Sequence, residues 1–252
     1  MHRKLIILIF AMLECGFSQE SIQNTWVGPT NEYIRFGKDT LDWGYYGGSC
    51  KRPYSLENGK IRMIQHYREG FDTTQRTKVL TYLISRLTAD SLVIIPETEQ
   101  EKRDIHNSGL LALINADFIY DSNLVFDSIY FSSTGCMGTC PILEIAFNKY
   151  GDIRFFGERF TSKIGSFVGK LSQSWIERFT QLLKKNRIEN ILQNLKLVHD
   201  ASSYEVRLCC NGRLKLMAGG LLPPFNSPLV DTLLNAYKEA DLVKVKNVTF
   251  KK

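Results

Sequence analysis

The 252-residue sequence predicts a β plus α+β protein: a small N-terminal antiparallel β-barrel, then a C-terminal two-layer α+β sandwich built from an antiparallel sheet and two main helices. Three observations predict this. From Ile22 to Pro96, short runs of strand character follow one another, separated by turn residues and without a helical period. Between Glu97 and Asp121 the pattern fails: "ETEQEKRDIHNSG" is charged and polar, and "LLALINADF" is a short apolar run of ambiguous type. From Ser122 onward, two stretches of helical period stand among further strands, in the order ββ(β)αββα, which suits helices packed on one face of a sheet. The expected organisation is therefore a leader at 1–18, a β domain at 19–96, a junction at 97–121 and an α+β domain at 122–252.

The leader "MHRKLIILIFAMLECGFS" has a basic start at Arg3 and Lys4, an apolar run from Leu5 to Leu13, and small residues Gly16 and Ser18 before Gln19. That order is the order of a cleaved secretory signal, and the apolar run is too short to cross a bilayer. A secreted or periplasmic protein cleaved near Ser18-Gln19 is expected, with no transmembrane span. Cys15 offers a lipid anchor as an alternative, but Glu14 stands where lipoprotein signals want a small residue, so plain secretion is preferred. The net charge of +6 comes from 32 basic and 26 acidic residues with no run of five like charges. Without a basic stripe, no nucleic-acid partner is expected.

In the β domain, "RPYSLENGKIRMIQHY" centres on Asn58-Gly59, the pair best suited to a two-residue hairpin turn whose central positions need positive φ. That turn sets Glu57 opposite Lys60, Leu56 opposite Ile61 and Tyr54 opposite Met63. "KVLTYLISRLTADSLVIIPE" adds two strands around a turn at Thr88 to Ser91, and the whole reads as a small barrel. In "DWGYYGGSC", the aromatic residues Trp43, Tyr45 and Tyr46 are candidates for ligand contact at the barrel mouth; the plainer reading is that they close the barrel end.

In the α+β domain, strands are expected near Phe126–Phe131, Ile142–Phe147, Ile153–Phe156, Tyr204–Cys209 and Arg213–Met217. "SWIERFTQLLKKN" opens on Ser174 three before Glu177, a capping box, and carries Ile176, Phe179, Leu182 and Leu183 on one face. "NSPLVDTLLNAYKEADL" opens on Ser227 and Pro228, with Leu229, Leu233, Ala236 and Tyr237 on one stripe.

Of the six cysteines, Cys15 leaves with the leader. Cys136 and Cys140 flank "MGT" between two strands, where fully extended Cα atoms would lie about 13 Å apart, too far for a disulfide unless the loop folds back. Gly135 and Gly138 permit that fold-back. In an oxidising compartment a staple is the favoured reading. Two alternatives stay open: a reactive thiol, and a zinc site drawing on Cys136, Cys140, Cys209 and Cys210, whose spacings suit tetrahedral ligation poorly. For Cys209-Cys210, the two-residue Asn211-Gly212 turn mismatches both faces of the hairpin. A three-residue loop of Cys210, Asn211 and Gly212 matches Leu208 to Leu214 and Val206 to Leu216, which puts Cys209 on the polar face beside Arg207 and Cys210 in the turn. Cys50 is the odd one out, either free or paired with one of the vicinal cysteines Cys209 and Cys210.

The segment Ile129-Tyr130-Phe131, followed by Gly135-Cys136-Met137-Gly138-Thr139-Cys140-Pro141, Tyr150-Gly151-Asp152 and Phe155-Phe156-Gly157, resembles a family of exported bacterial domains of unknown function. Asp200, the strand from Tyr204 to Leu208, Asn211-Gly212 and the final helix after Pro228 extend the resemblance over roughly Leu124 to Val243. The resemblance implies pairing of Cys136 with Cys140 and places Cys209 and Cys210 outside the shared pattern. In the first half, Trp26-x-Gly28 and "YLISRLTADSLVII" are similar to lipocalin-like small barrels.

No nucleophile elbow, paired-His helix or phosphate-cradling glycine loop is present. His199-Asp200 beside Ser202 and Ser203 is the one grouping with hydrolase residue types, and adjacent side chains on an extended segment point apart. His66 and His106 read as solvent-facing, and Asn247-Val248-Thr249 has the form of a glycosylation acceptor. The expectation is a non-enzymatic module without cofactor or metal, binding an envelope component or a small apolar ligand. The alternative is a thiol- or metal-dependent enzyme using Cys136, Cys140, Cys209 and Cys210.

Overall fold

The computed structural model describes residues 19–45, 48–68, 73–105, 108–191 and 201–250. The expected leader, Cys15, Tyr46, His106, His199 and Asp200 lie outside the described residues. A short helix α1 (Gln19–Ile22) precedes β1 (Thr25–Val27), β2 (Tyr33–Phe36), β3 (Thr40–Tyr45), β4 (Gly48–Glu57), β5 (Lys60–Tyr67), β6 (Arg76–Leu87) and β7 (Ser91–Pro96). Helix α2 (Glu99–Asp104) and β8 (Leu111–Asn115) follow. These eight strands form a closed antiparallel barrel in chain order, β8 returning to β1 through Trp26↔Asn115 and Val27↔Ile114. Closure leaves the barrel without a sheet edge.

The Asn58-Gly59 hairpin has the expected register, Tyr54↔Met63, Leu56↔Ile61 and Glu57↔Lys60, with positive φ at both turn residues (52° and 71°). The expected boundary at Pro96 is corrected: the eighth strand comes from the apolar run placed in the junction, whose alternating burial is a strand signature too short to read alone. Trp26, Trp43, Met63 and Tyr82 are buried in the barrel core, Trp43 and Tyr82 with ring centroids 5.5 Å apart. Helix α2 covers one end. Its buried Glu101 accepts from the backbone N–H groups of Thr81 (2.6 Å), Thr98 (2.6 Å) and Glu97 (3.1 Å), so a carboxylate out of water still has its oxygens satisfied.

The second half comprises β9 (Phe126–Ser133), β10 (Ile142–Asn148), β11 (Asp152–Arg159), β12 (Gly165–Leu171), helix α3 (Gln173–Lys184), β13 (Tyr204–Cys210), β14 (Arg213–Gly220), helix α4 (Ser227–Asn235) and β15 (Ala240–Val245). The seven strands form one antiparallel sheet in the order β14-β13-β9-β10-β11-β12-β15. Both helices pack on one face, where Phe126, Phe147, Trp175 and Phe179 interlock with centroid separations of 5.0–5.7 Å. The molecule is thus mostly β, a barrel followed by a helix-backed sheet.

Four details differ from the sequence reading. Strand β12 was not expected, because two glycines dilute its pattern, and neither was β15. The final helix stops at Asn235 and a 3-10 turn at Ala236–Lys238 redirects "ADLVKV" into the edge strand, with no Gly or Pro to announce the stop. The cap of α3 is Ser172, whose hydroxyl accepts from Trp175 N at 3.2 Å, rather than Ser174. Ser227 lies inside the first turn of α4, its hydroxyl donating back to Pro224 O at 2.8 Å.

The two halves meet through a buried polar knot. Asn31, in the left-handed region (φ 61°), donates to Arg187 O (3.2 Å) and Asn226 Oδ1 (3.1 Å), and Asn226 donates to Asn186 O (2.8 Å). Arg187 donates to Gly28 O at 2.8 Å, and Asn190 to Pro29 O at 2.8 Å. Asn31 and Asn226 have no solvent exposure, so these bonds fix one orientation of the barrel against the sheet; breaking them would strand buried amides.

Candidate functional site

The helices cover one face of the seven-stranded sheet, and the other face is open. Period-two alternation puts one residue from each of six strands, β13 to β15 in sheet order, in a line across it: Arg207↔Tyr130↔Ala146↔Arg154↔Val168↔Val243. The small side chain of Ala146 leaves a hollow between Tyr130 and Arg154, and around this row lies a cleft of about 820 Å³. Its far wall is apolar, Val168 and Val243 being 37% and 67% exposed. A neighbouring row, Glu205↔Ser132↔Glu144↔Phe156, supplies the counter-charges.

Tyr130, Asp152, Arg154 and Arg207, which line the cleft, each have an engaged partner, and Cys209 lines it as a free thiol. The Arg207 guanidinium sits 2.6 Å from Glu205 Oε1 and over the Tyr130 ring at 5.9 Å. Tyr130 donates its hydroxyl to Glu144 Oε2 at 2.9 Å. Burial, reinforced by that carboxylate, pushes the Tyr130 phenol up to about 12, so it is a donor throughout the physiological range. Asp152 pairs with Lys170 at 2.7 Å, and the Lys170 and Asn148 contacts hold its carboxyl below the ordinary range. Arg154 is directed to a main-chain carbonyl, Thr249 O, at 3.0 Å. Anchored donors beside exposed aliphatic groups suit recognition of a ligand with an apolar body and polar edges.

Cys136 and Cys140 are joined in a disulfide with Cα atoms 5.7 Å apart. Gly138 N donates to Cys136 Sγ at 3.3 Å, the loop base is tied by Ser133 Oγ to Pro141 O at 2.7 Å, and Met137 stands 81% exposed at the tip. The four-thiol cluster is not formed. The staple leaves the sheet beyond Ser133, whereas Cys209 pairs with Ser128, five residues and about 17 Å along the same strand. Cys209 lines the cleft, while Cys210 points into the helix-backed core with no exposure, and burial raises its thiol to about 11.

The expected Cys210 register is also corrected. The turn is the two-residue Asn211-Gly212 (φ 54° and 69°), and a bulge after Leu208 restores Leu208↔Leu216, with Cys209↔Leu214 and Cys210↔Arg213. The bulge absorbs the face mismatch that the three-residue loop was meant to avoid. Asn211 holds this turn against the segment before β9, accepting from Val125 N (2.8 Å) and donating to Asn123 O (2.9 Å). Asp127 accepts from Gly212 N at 2.6 Å. At Tyr150-Gly151-Asp152, Asn148 Oδ1 accepts from both flanking N–H groups, and a Cβ on Gly151 would meet Leu171 O at 2.3 Å.

Residues 127–218 match the family model of a domain of unknown function, DUF6438. The match runs from β9 into β14, just over a third of the chain, and takes in the strands that line the cleft except β15, which carries Val243. Within the matched span, the stapled loop and the two glycine turns hold backbone geometry. No curated protein matches the chain, and no solved structure matches it. The barrel's likeness to lipocalins therefore rests on sequence pattern alone.

The barrel-mouth residues separate. Trp43 is buried in the barrel core, Tyr46 lies outside the described residues, and the Tyr45 side chain is not among those described. Cys50 is exposed on β4. His66 is exposed on β5 as expected, its Nδ1 3.0 Å from Thr77 Oγ1. Among the described residues, no three or more His, Cys, Asp or Glu side chains are grouped to hold a metal ion, and no helix is long and apolar enough to cross a membrane. Sequence reasoning missed the cleft: Tyr130, Ala146, Arg154, Val168 and Val243 are spread over more than a hundred residues and meet only once strand order and register are known.

Proposed function

We propose that this protein is an exported, non-enzymatic binding module whose ligand surface is the open face of the seven-stranded sheet, the barrel serving as scaffold. The observation that carries this reading is the 820 Å³ cleft over the Arg207-to-Val243 row, part apolar and part polar. Binding is favoured over catalysis because Tyr130, Arg207 and Asp152 are each committed to a neighbouring charge, and a general acid or base needs a group free to exchange its proton with substrate. Export is supported by the basic, apolar, small-residue order of residues 1–18, and the Cys136–Cys140 bond suits an oxidising compartment.

The test is a thermal-shift screen of small apolar and amphipathic compounds against the wild type, Ala146→Trp and Trp43→Ala. Compounds that stabilise the wild type and lose their effect in Ala146→Trp support the reading. Compounds that still stabilise Ala146→Trp but fail with Trp43→Ala move the site to the barrel and overturn it.

A further inference from the structure

After β15 the chain turns back over the open face. Val245 still pairs with Ser166 on β12, at the sheet edge. Four residues later Thr249 offers its carbonyl to Arg154 on β11, and the Phe250 ring meets Tyr130 on β9 edge-on at 5.8 Å. From β15 to β9 is four strand spacings, about 19 Å, and five residues at full extension reach about 17 Å. Residues 246–250 therefore cross the strands nearly extended, with the Phe250 side chain covering the remaining distance.

The two contacts are of a general kind. Arg154 reads a main-chain carbonyl, which any peptide carries, and Tyr130 reads an aromatic ring. The rest of the cleft, with Ala146 in its floor and Val168 and Val243 on its far wall, stays accessible beside the segment.

We propose that the cleft binds extended peptide carrying an aromatic side chain, and that residues 246–250 are a tethered occupant that a partner peptide displaces. This deepens the binding reading above and rests on it. Among the described residues the latch is light, one hydrogen bond from an exposed guanidinium and one ring pair, so a partner making the same contacts and filling the free hollow would compete with it. A tethered competitor acts at an effective concentration of order mM, which masks the site from weak ligands without closing it to better ones.

The experiment uses the full chain and a fluorescent synthetic peptide spanning Val245 to Lys252, read by anisotropy. Phe250→Ala is expected to bind the peptide about tenfold or more tighter than the wild type, because the competitor in cis is weakened. Arg154→Ala in the Phe250→Ala background should lose that gain, as should a peptide with its phenylalanine replaced by alanine. Equal binding by wild type and Phe250→Ala, or equal binding of a scrambled peptide of the same charge, overturns the proposal. If compounds blocked by Ala146→Trp are found while no peptide binds, the open face stands as a ligand site and the peptide class falls. If neither compound nor peptide binds, both readings fall.

Discussion

Replacing both Cys136 and Cys140 with serine removes the crosslink that the structure places across a five-residue loop, 136–140. The native loop is held at its base without the sulfurs, by Ser133 Oγ to Pro141 O (2.7 Å) and Thr134 N to Ser203 O (3.0 Å). The crosslink therefore acts chiefly on the unfolded chain, where closing a loop of five residues removes entropy equivalent to about 2 kcal/mol at 25 °C. For a chain of this size that corresponds to a fall in Tm of about 4–8 °C. Urea unfolding of the oxidised wild type, the reduced wild type and the double variant measures it. Reduced wild type and double variant should coincide, both about 2 kcal/mol below the oxidised protein, with native near-ultraviolet circular dichroism retained. A loss under about 0.5 kcal/mol would refute the staple as a stabilising element, and loss of native dichroism would show that the loop base does not hold alone.

Other expectations follow from particular contacts. Ser172→Ala should cost about 1 kcal/mol by removing the cap of α3, whereas Ser174→Ala should change stability by a few tenths, compared by urea denaturation. Arg187→Ala removes the guanidinium bond to Gly28 O and should cost about 2 kcal/mol, with the single calorimetric transition splitting as barrel and sheet uncouple; an unsplit, unshifted transition would count against the knot. Burial raises the Cys210 thiol from about 9 to about 11, so its contribution to stability is complete below pH 9 and is lost as pH rises towards 11. Wild type should lose roughly 2–3 kcal/mol more than Cys210→Val over that interval, and parallel pH curves would contradict the buried thiol. Iodoacetamide at pH 8 should modify exposed Cys50 well before Cys210, followed by peptide mass spectrometry.

The parts of the fold governed by local chemistry were legible in the sequence. Asn58-Gly59 forces a two-residue turn, and its register follows by counting outward. The apolar stripes of α3 and α4 gave their buried faces, Ile176, Phe179 and Leu183 on one and Leu229 and Leu233 on the other. Elements without punctuation were not legible. Strand β15 continues from a helix with no breaker, β8 is five residues of alternation beside a polar stretch, and the bulge after Leu208 shifts a register that simple counting cannot anticipate. The cleft was hidden for a further reason. Alternation tells which residues point away from the helices, but Ala146 becomes a hollow only because Tyr130 and Arg154 flank it, and that depends on pairings between distant strands. The spacing of Cys136 and Cys140 is conspicuous in the sequence, and their bond closes a loop outside the cleft.

Whether the open face of the sheet makes the contact can be read by site-specific photocrosslinking in the native cell. A benzophenone side chain would be placed at Val168 in the cleft and, separately, at exposed Val79 on the barrel wall. A discrete adduct is expected from position 168, lost when Ala146→Trp fills the hollow, and none from position 79. An adduct from position 79 alone, or one from 168 that survives Ala146→Trp, would contradict contact through the open face.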